Sequence, residues 1–401
     1  MTDTNQTNES ALFPTYARFP ITIVKGEGSK LWDDQGKEYL DLMSGIAVTN
    51  LGHVHPRVKA SLVAQLDQLW HVSNLFHIPN QEKLAKLITG NSCADAIFFC
   101  NSGAEANEAA IKIARRYFQK VKNEHRYEVI TFQQSFHGRT LATLTATGQE
   151  KVRDGFAPLP EGFVYAPFND IEAVRAAVTP QTCAIMLEMA QAEGGVRPAD
   201  PQFILDLAEL CKEKGILLIA DEIQTGVGRT GSLFAHQLYQ VEPDIFTLAK
   251  GLGNGFPIGA MAGKAFLREA FNAGSHGTTF GGTPIATATA IAVLETVIEE
   301  KLSERAGSLG EWAMQFLREK LANNPLVKEV RGKGLLLGIE CNEPVGALVT
   351  KAHEAGVLLI QAGPNVLRML PALTISQAEL EDGLLRVIDL LNAVPSEKIS
   401  V

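Results

Sequence analysis

Five short runs of this chain are apolar along almost their whole length: Ala96–Cys100, Glu128–Phe132, Cys183–Leu187, Ile216–Ala220 and Ile245–Ala249. A strand with one wet face alternates polar and apolar side chains. A run without alternation must be covered on both faces, which is the situation of parallel strands under helices. Helical spacings lie between the runs, as in Phe203, Leu207, Leu210 and Cys211. The stretch from about 95 to 250 therefore reads as repeated βαβ units, an open and mostly parallel α/β sheet.

The flanks read differently. At roughly 150 residues per domain, 401 residues suggest two or three domains. Residues 1–11 are expected to be a disordered tail. Residues 12–55 form an N-terminal segment in which Gly26-Glu27-Gly28 and Asp33-Asp34-Gln35-Gly36-Lys37 are turn signals between short apolar runs, a hairpin-like lead-in. The large domain is assigned to 56–284 and opens on a helix, with Pro56 in its first turn and Val58, Leu62, Leu66 and Leu69 on one face. After Pro284 a long helical pattern through Val293, Leu294, Val297 and Ile298 leads into a smaller α+β domain, 285–401. Its strands are predicted near Gly334–Glu340, Val357–Ile360 and Val366–Leu370, with a last helix through Leu380–Leu391.

Charge and composition narrow the function. Thirty-six basic against forty-five acidic residues, a net charge of −9, disfavour nucleic acid as a partner. Apolar stretches such as Gly215–Ala220 fall far short of the roughly 18 residues of a membrane span. The first ten residues are polar and acidic, without the basic and apolar regions of a signal peptide. There are five cysteines with no C-x-x-C pair, and most of them sit in apolar runs and read as small buried hydrophobes. A reduced, cytoplasmic protein is expected.

Ligands of open α/β sheets bind beyond the carboxyl ends of the strands, so the residues that follow each run matter most. After Phe98-Phe99-Cys100 comes Asn101-Ser102-Gly103-Ala104-Glu105. Ser102 with Glu105 fits a capping box, and the unpaired N–H groups of a helix start suit a phosphate. Taken alone, the same residues describe a plain cap. After the second run stands Ser135-Phe136-His137-Gly138-Arg139-Thr140, an aromatic, an imidazole and a guanidinium together, which by itself also fits a surface loop. Asp221-Glu222-Ile223-Gln224-Thr225-Gly226 follows the fourth run, and an acid there needs a partner because a lone buried carboxylate is costly. A protonated ring nitrogen, a metal or an arginine would each serve. Lys250 closes the fifth run, where desolvation favours a neutral amine able to condense with a carbonyl, or where the side chain simply snorkels. Together, phosphate turn, flat aromatic, acid and lysine are the parts of a pyridoxal phosphate site.

Asn101–Glu108, Phe136–Thr140, Asp221–Gly231 and Ala249–Gly253 resemble, in sequence and in order, the class III pyridoxal-phosphate aminotransferases, and the resemblance runs from about residue 12 to 392. Gly277-Thr278-Thr279-Phe280-Gly281-Gly282 and Val366-Leu367-Arg368 look like the branch of that family that acts on N2-acetylornithine. The resemblance implies a fold-type I homodimer with active sites shared between subunits and pyridoxal 5'-phosphate as cofactor. It implies that Lys250 binds the cofactor and carries a proton, that Asp221 meets the pyridine nitrogen and that Gln224 contacts the ring hydroxyl. Phe136 would stack on the ring, and Glu222 and Ile223 would lie in the same cofactor-binding stretch. Ser102, Gly103 and Ala104 would hold the phosphate with Thr279 of the other subunit. Arg139, with Thr278 nearby, would bind a substrate carboxylate. Arg368 would take the α-carboxylate of glutamate, and Glu193 would neutralise Arg368 when N2-acetylornithine is bound. The implied reaction moves the terminal amine of N2-acetylornithine to 2-oxoglutarate, a step of arginine biosynthesis.

One segment departs from the family pattern E-P-[IV]-Q-G-E-[GS]-G: this chain has Glu188-Met189-Ala190-Gln191-Ala192-Glu193-Gly194-Gly195, so a different turn is expected before Glu193. Asn254 stands where relatives often carry Gly. In ornithine aminotransferases an S-x-Y tyrosine helps select the free α-amine. The matching Ser44-Gly45-Ile46 has no such group, which favours N2-acetylornithine over ornithine; 4-aminobutyrate, then ornithine, are the alternative donors. More distant readings are an NAD-linked oxidoreductase, from the G-x-G-x-x-G spacing of Gly226–Gly231, a metal pair at His53 and His55, and a non-catalytic binding protein. Against the first, five polar or small residues separate the strand from the first glycine, and no clear helix opens at Gly231. Against the second, no third ligand is evident, and no metal is expected. Against the third, the lysine and the acid are both intact.

Overall fold

The structure, a computed structural model, describes residues 11–394; the expected tail lies almost wholly outside them. A seven-stranded sheet forms the centre, in the order Ala96–Cys100, Gly259–Gly263, Ile245–Leu248, Leu217–Asp221, Thr182–Glu188, Glu128–Phe132, Phe163–Ala166. All neighbours pair in parallel except Gly259–Gly263, which runs antiparallel to both of its partners. The five runs read from the sequence are strands within one residue at either end.

The two strands not foreseen have physical reasons for being hard to read. Phe163–Ala166 is four residues long and follows a proline-containing loop. Gly259–Gly263 consists of Gly-Ala-Met-Ala-Gly and lacks the branched residues that usually announce a strand. Its smallness has a cause: a Cβ on Gly259 would lie 2.4 Å from the carbonyl oxygen of Ser102.

Helix Gly103–Arg116 lies against the sheet through Ala106, Ala109, Ala110, Ile111, Ile113 and Ala114, all buried. Small side chains bring its axis close to the strands, so truncating Ile111 to Ala leaves a void that costs about 2–5 kcal/mol. Helix Pro201–Lys214 begins with Asp200 accepting the N–H groups of Gln202 and Phe203, and it buries the Phe203, Leu207, Leu210 and Cys211 stripe read from the sequence. Helix Pro284–Glu299 is buried around almost its whole circumference and packs on Pro56–Leu66 and Pro79–Thr89.

Two smaller four-stranded sheets and the short pair Ala190–Gln191 with Arg197–Pro198 complete the sheets of the described residues. Ile23–Glu27, Lys30–Asp33 and Glu38–Asp41 form the antiparallel lead-in, and Val357–Leu358 then adds in parallel beside Glu38–Asp41. Val327–Lys333, Leu336–Cys341, Val366–Met369 and Ile360–Ala362 make an antiparallel sheet. The first of these sheets ties the N-terminal segment to the C-terminal part of the chain. Leu42 reinforces the tie, its carbonyl accepting the Leu370 N–H at 2.6 Å. Among the described residues no helix is long and apolar enough to cross a membrane.

Candidate active site

The carboxyl ends of the parallel strands open into a cavity of about 460 Å³. Ser102 caps helix Gly103–Arg116, its Oγ accepting the Glu105 N–H at 3.2 Å. Glu105 answers one residue further out than a capping box would, accepting the Asn101 N–H at 2.6 Å. The first N–H groups of a helix have no intrahelical partner, and Ser102, Gly103 and Ala104 line the cavity there. Gly103 is required because a Cβ would lie 2.8 Å from the Ile223 side chain.

Phe136 is half-buried and lines the cavity, and so does Ile223. Arg139 is exposed at the rim, its guanidinium 5.6 Å from the centre of the Phe136 ring. Asp221 ends its strand buried at 4% exposure. Its Oδ2 accepts Asn107 Nδ2 at 2.8 Å and faces His137 Nδ1 at 2.8 Å, while its Oδ1 accepts the Ile223 N–H at 3.1 Å. Asn107 is itself fixed, donating to the His137 carbonyl at 2.7 Å and accepting the Thr247 hydroxyl at 2.7 Å. Lys250 follows strand Ile245–Leu248 with φ of 42°, a left-handed conformation that a non-glycine residue adopts only when its surroundings hold it. Burial pushes the Lys250 ammonium below the ordinary lysine range, while Glu193, Asp221 and Glu188 pull the other way. The result is an amine biased toward its neutral, nucleophilic form.

Arg368, on strand Val366–Met369, donates through Nη1 to Glu193 Oε1 at 2.6 Å and to Gln224 Oε1 at 3.2 Å. Gln224 Nε2 reaches Glu193 at 3.4 Å. Burial would raise the Glu193 carboxyl, but Arg368 holds it below the ordinary value. The unusual turn thus still delivers Glu193. Ala190–Gln191 pairs with Arg197–Pro198, and Ala192 is fully buried, so the methyl group that replaces hydrogen is accommodated. Asn254 adopts φ of 44° and closes the neighbouring loop, accepting the Leu51 N–H and donating to the Gly52 carbonyl.

One expected residue sits elsewhere. Glu222 is turned away from the cavity: its carboxylate binds the N–H groups of Ala235 and His236 and lies 2.7 Å from His236 Nδ1. Its alternation on the strand end places it opposite Asp221. Thr278 and Thr279, expected at the neighbouring subunit's site, lie outside this cavity: Thr278 accepts Asn101 Nδ2 at 3.1 Å, and Thr279 is exposed. Conversely, Asn107, Thr247 and Glu188 were not singled out from the sequence. Asn107 was detectable as a polar residue inside an alanine-rich helix face, and Glu188 as an acid closing an apolar run, the same signal as Asp221.

The distant readings find little support. Gly226–Gly231 forms turns that open no helix, and Arg229 within it is buried against the Leu335 carbonyl and Asn50 Oδ1. His53 Nε2 pairs with Asp41 Oδ2 at 2.7 Å. Among the described residues no group of three or more His, Cys, Asp or Glu side chains is arranged to hold a metal.

The cavity fits pyridoxal phosphate on its own chemistry. Phe136 and Ile223 offer walls for a flat ring, Asp221 an acceptor for a protonated nitrogen, the start of helix Gly103–Arg116 a phosphate seat, and Lys250 the amine.

Comparison with known proteins agrees. The profile of the family described as Aminotransferase class-III matches residues 13–391. The acetylornithine aminotransferase of Halalkalibacterium halodurans is 53% identical over 383 residues, covering 96% of this chain and 98% of that protein. That of Oceanobacillus iheyensis is 51% identical over 372 residues, 93% of each. Among solved structures, an ornithine aminotransferase from Toxoplasma gondii with pyridoxal phosphate at partial occupancy gives a TM-score of 0.93 at 35% identity, covering 97% of this chain and 94% of that one. The N-acetylornithine aminotransferase from Stenotrophomonas maltophilia gives 0.82 at 37% identity, covering 94% and 97%. A family match over nearly the whole length, relatives at half identity and the same architecture leave one assignment: this chain belongs to the class III aminotransferases.

Proposed function

We propose that this chain is a pyridoxal-phosphate-dependent aminotransferase that moves the terminal amino group of N2-acetylornithine to 2-oxoglutarate, yielding N-acetylglutamate 5-semialdehyde and glutamate. The observation that carries the reading is the Arg368–Glu193 pair, an arginine with a removable counter-charge, bonded to Gln224, which with Lys250 lines the cavity. Glutamate brings two carboxylates, one each for Arg139 and Arg368. N2-acetylornithine brings one, for Arg139, and Glu193 then neutralises Arg368. The relatives at 51% and 53% identity, both named acetylornithine aminotransferases, support the same donor.

Ile46 bears on the choice among donors. It is half-buried at φ of 68°, costly for a β-branched residue, and packs against the cluster of Ala190, Ala192, Val196 and Leu370. It offers no hydrogen bond to a free α-amine, which disfavours ornithine.

In this reading Asp221, steadied by Asn107 and His137, holds a proton on the ring nitrogen. The turn of Ser102, Gly103 and Ala104 seats the phosphate, and Phe136 orients the ring. Bound there, pyridoxal phosphate supplies an electron sink for the bond broken at the substrate's amine-bearing carbon. Lys250 Nζ, kept short of charge by burial, takes the proton from that carbon and returns it on the other side of the exchange.

A homodimer belongs to the same proposal. Trp70, Leu75, Phe76 and Phe280 are exposed apolar side chains in one neighbourhood, where Asn74 Nδ2 binds the carbonyls of Thr278 and Gly281. Such a patch marks an interaction surface, and it adjoins the Asn101 turn of the cavity through Thr278. A second copy seated there would bring Thr279 toward the partner's phosphate seat.

The test is a comparison of kcat/KM for N2-acetylornithine, ornithine and 4-aminobutyrate with 2-oxoglutarate as acceptor. N2-acetylornithine should be the best donor, and either rival in first place overturns the assignment.

A further inference from the structure

Strand Thr182–Glu188 is buried in all seven residues, and an acid closes it. Its neighbour Leu217–Asp221 also closes on an acid, and the two acids are in register, Asp221 opposite Glu188, on adjacent parallel strands. Backbones so paired lie about 4.8 Å apart, so two buried carboxyl groups share one wall of the cavity. They are unequally supplied with donors. Asp221 accepts from Asn107 and from the Ile223 N–H, and its contact with His137 Nδ1 requires that nitrogen to carry the proton. Glu188 accepts one N–H, that of Phe136 on Oε2 at 3.1 Å. Among the described residues no arginine, lysine or histidine makes an ion pair with Glu188. The charged groups that face it are Asp221 on the adjacent strand, Glu193 beyond its own strand end and Lys250 across the cavity, the last with its charge disfavoured by burial. Like charges this close do not both ionise, and the negative charge is better held where more donors converge.

We propose that Glu188 stands in the cavity as a neutral carboxylic acid, with Oε2 fixed by Phe136 and an Oε1–H that donates a hydrogen bond to an oxygen of the bound cofactor or substrate. Burial first, and the Asp221 charge second, push its carboxyl well above the ordinary range. Oε1 has no hydrogen-bond partner among the described residues, yet it is not closed off as an orphaned buried atom, consistent with its facing the cavity that Glu188 lines. A neutral acid here adds no third negative charge beside Asp221 and Glu193, so a substrate carboxylate can enter toward Arg139. Through Phe136 it also positions the ring wall. The protonation state stands on the geometry alone; only the identity of the acceptor oxygen rests on the proposed function.

Infrared difference spectroscopy reads this directly. Protein without cofactor near pH 7 should show the carbonyl stretch of a protonated carboxylic acid, lost in Glu188→Gln. Asp244, another acid that burial pushes up, is subtracted with an Asp244→Asn protein. Adding pyridoxal phosphate, then N2-acetylornithine, should shift the Glu188 band to lower frequency at one step or the other, and the step names the acceptor. If Glu188→Gln does not fold, the wild-type band followed with rising pH serves instead, since a carboxyl of ordinary acidity shows none above about pH 6. Absence of a Glu188 band near pH 7, or a band that neither addition moves, overturns the proposal. Failure of the broader reading is separate: no visible absorbance would develop on adding pyridoxal phosphate.

Discussion

Replacing Glu193 by Gln is the sharpest perturbation of the proposed dual-substrate site. The side chain keeps its length and an oxygen for Arg368 Nη1, now 2.6 Å away, so only the charge is removed. Two unit charges about 4 Å apart attract by about 4 kcal/mol at an effective dielectric near 20. Glu193 is 29% exposed, so solvent screens part of this, and glutamine retains a weaker hydrogen bond. A net loss of about 1.4 kcal/mol or more is then expected, tenfold or more in an equilibrium or rate ratio. The loss falls on the two donors in opposite directions. With N2-acetylornithine bound, Arg368 is buried at 1% exposure and left without a counter-charge. With glutamate bound, Arg368 has been released in advance to pair with the α-carboxylate, and a planar guanidinium holds a carboxylate at two points.

Rapid mixing of the cofactor-loaded variant with each donor alone isolates the first half-reaction, followed as decay of the cofactor's visible band. The ratio of glutamate to N2-acetylornithine rates should rise at least tenfold over wild type, chiefly through a slower reaction of N2-acetylornithine. An unchanged ratio would make Glu193 a structural acid of the 189–195 turn and refute the switch, even if both rates fell together.

Three further outcomes follow from the same geometry. Borohydride reduction of the cofactor-loaded protein should fix the cofactor on Lys250, as peptide mass mapping would show; an adduct on another lysine sinks the site assignment. Mixing Lys250→Ala chains with Thr279→Ala chains should restore activity through hybrid dimers that carry one intact site, and no recovery after verified subunit exchange counts against a shared site. Glu340 supplies a pH test: burial raises its carboxyl, but Lys328 at 2.9 Å and Arg331 pull it down to about 2 from the usual 4.5. A depressed acid stabilises the fold above its unfolded value, so the contribution, up to about 3 kcal/mol, is complete above about pH 4.5 and fades toward pH 2. Glu340→Gln should therefore lower denaturation free energy near neutrality by an amount that shrinks in acid, and a gap constant down to pH 3 would refute the linkage.

How far the sequence carried the reading depended on whether a signal was local. Ser102, Asp221 and Lys250 each terminate or follow an apolar run, and a polar residue at that place is conspicuous because burial without a partner is costly. The central strands were legible for the same reason, five runs too apolar to face water. Gly259–Gly263 was not, because its composition answers to the Ser102 carbonyl it passes and not to strand propensity, and that neighbour is far away in sequence. Glu222 shows the opposite failure: it shares a motif with Asp221, but successive residues point to opposite faces, and its partners, Ala235 and His236, lie on the other side.

The turn before Glu193 shows what a pattern records and what it does not. A proline and a glycine of the family pattern are replaced here by Met189 and Ala192, and a change of backbone was the natural expectation. The structure meets the change with packing. Met189 and Ala192 are buried, and Tyr239 donates to the Met189 carbonyl at 3.2 Å. The Arg331 guanidinium binds the carbonyls of Gly195 and Val196 at the far end of the turn. Those contacts come from side chains 40 or more positions away, so the turn's shape is set by its surroundings and not by proline and glycine alone. The ends of the motif carry the site's chemistry, while Gln191 between them is held by its bond to the Gln133 carbonyl at 2.9 Å. Glu188 must close the strand beside Asp221 and Glu193 must reach Arg368, so the residues between them can change only where the packing around Met189 and Ala192 takes the new side chain and keeps that span.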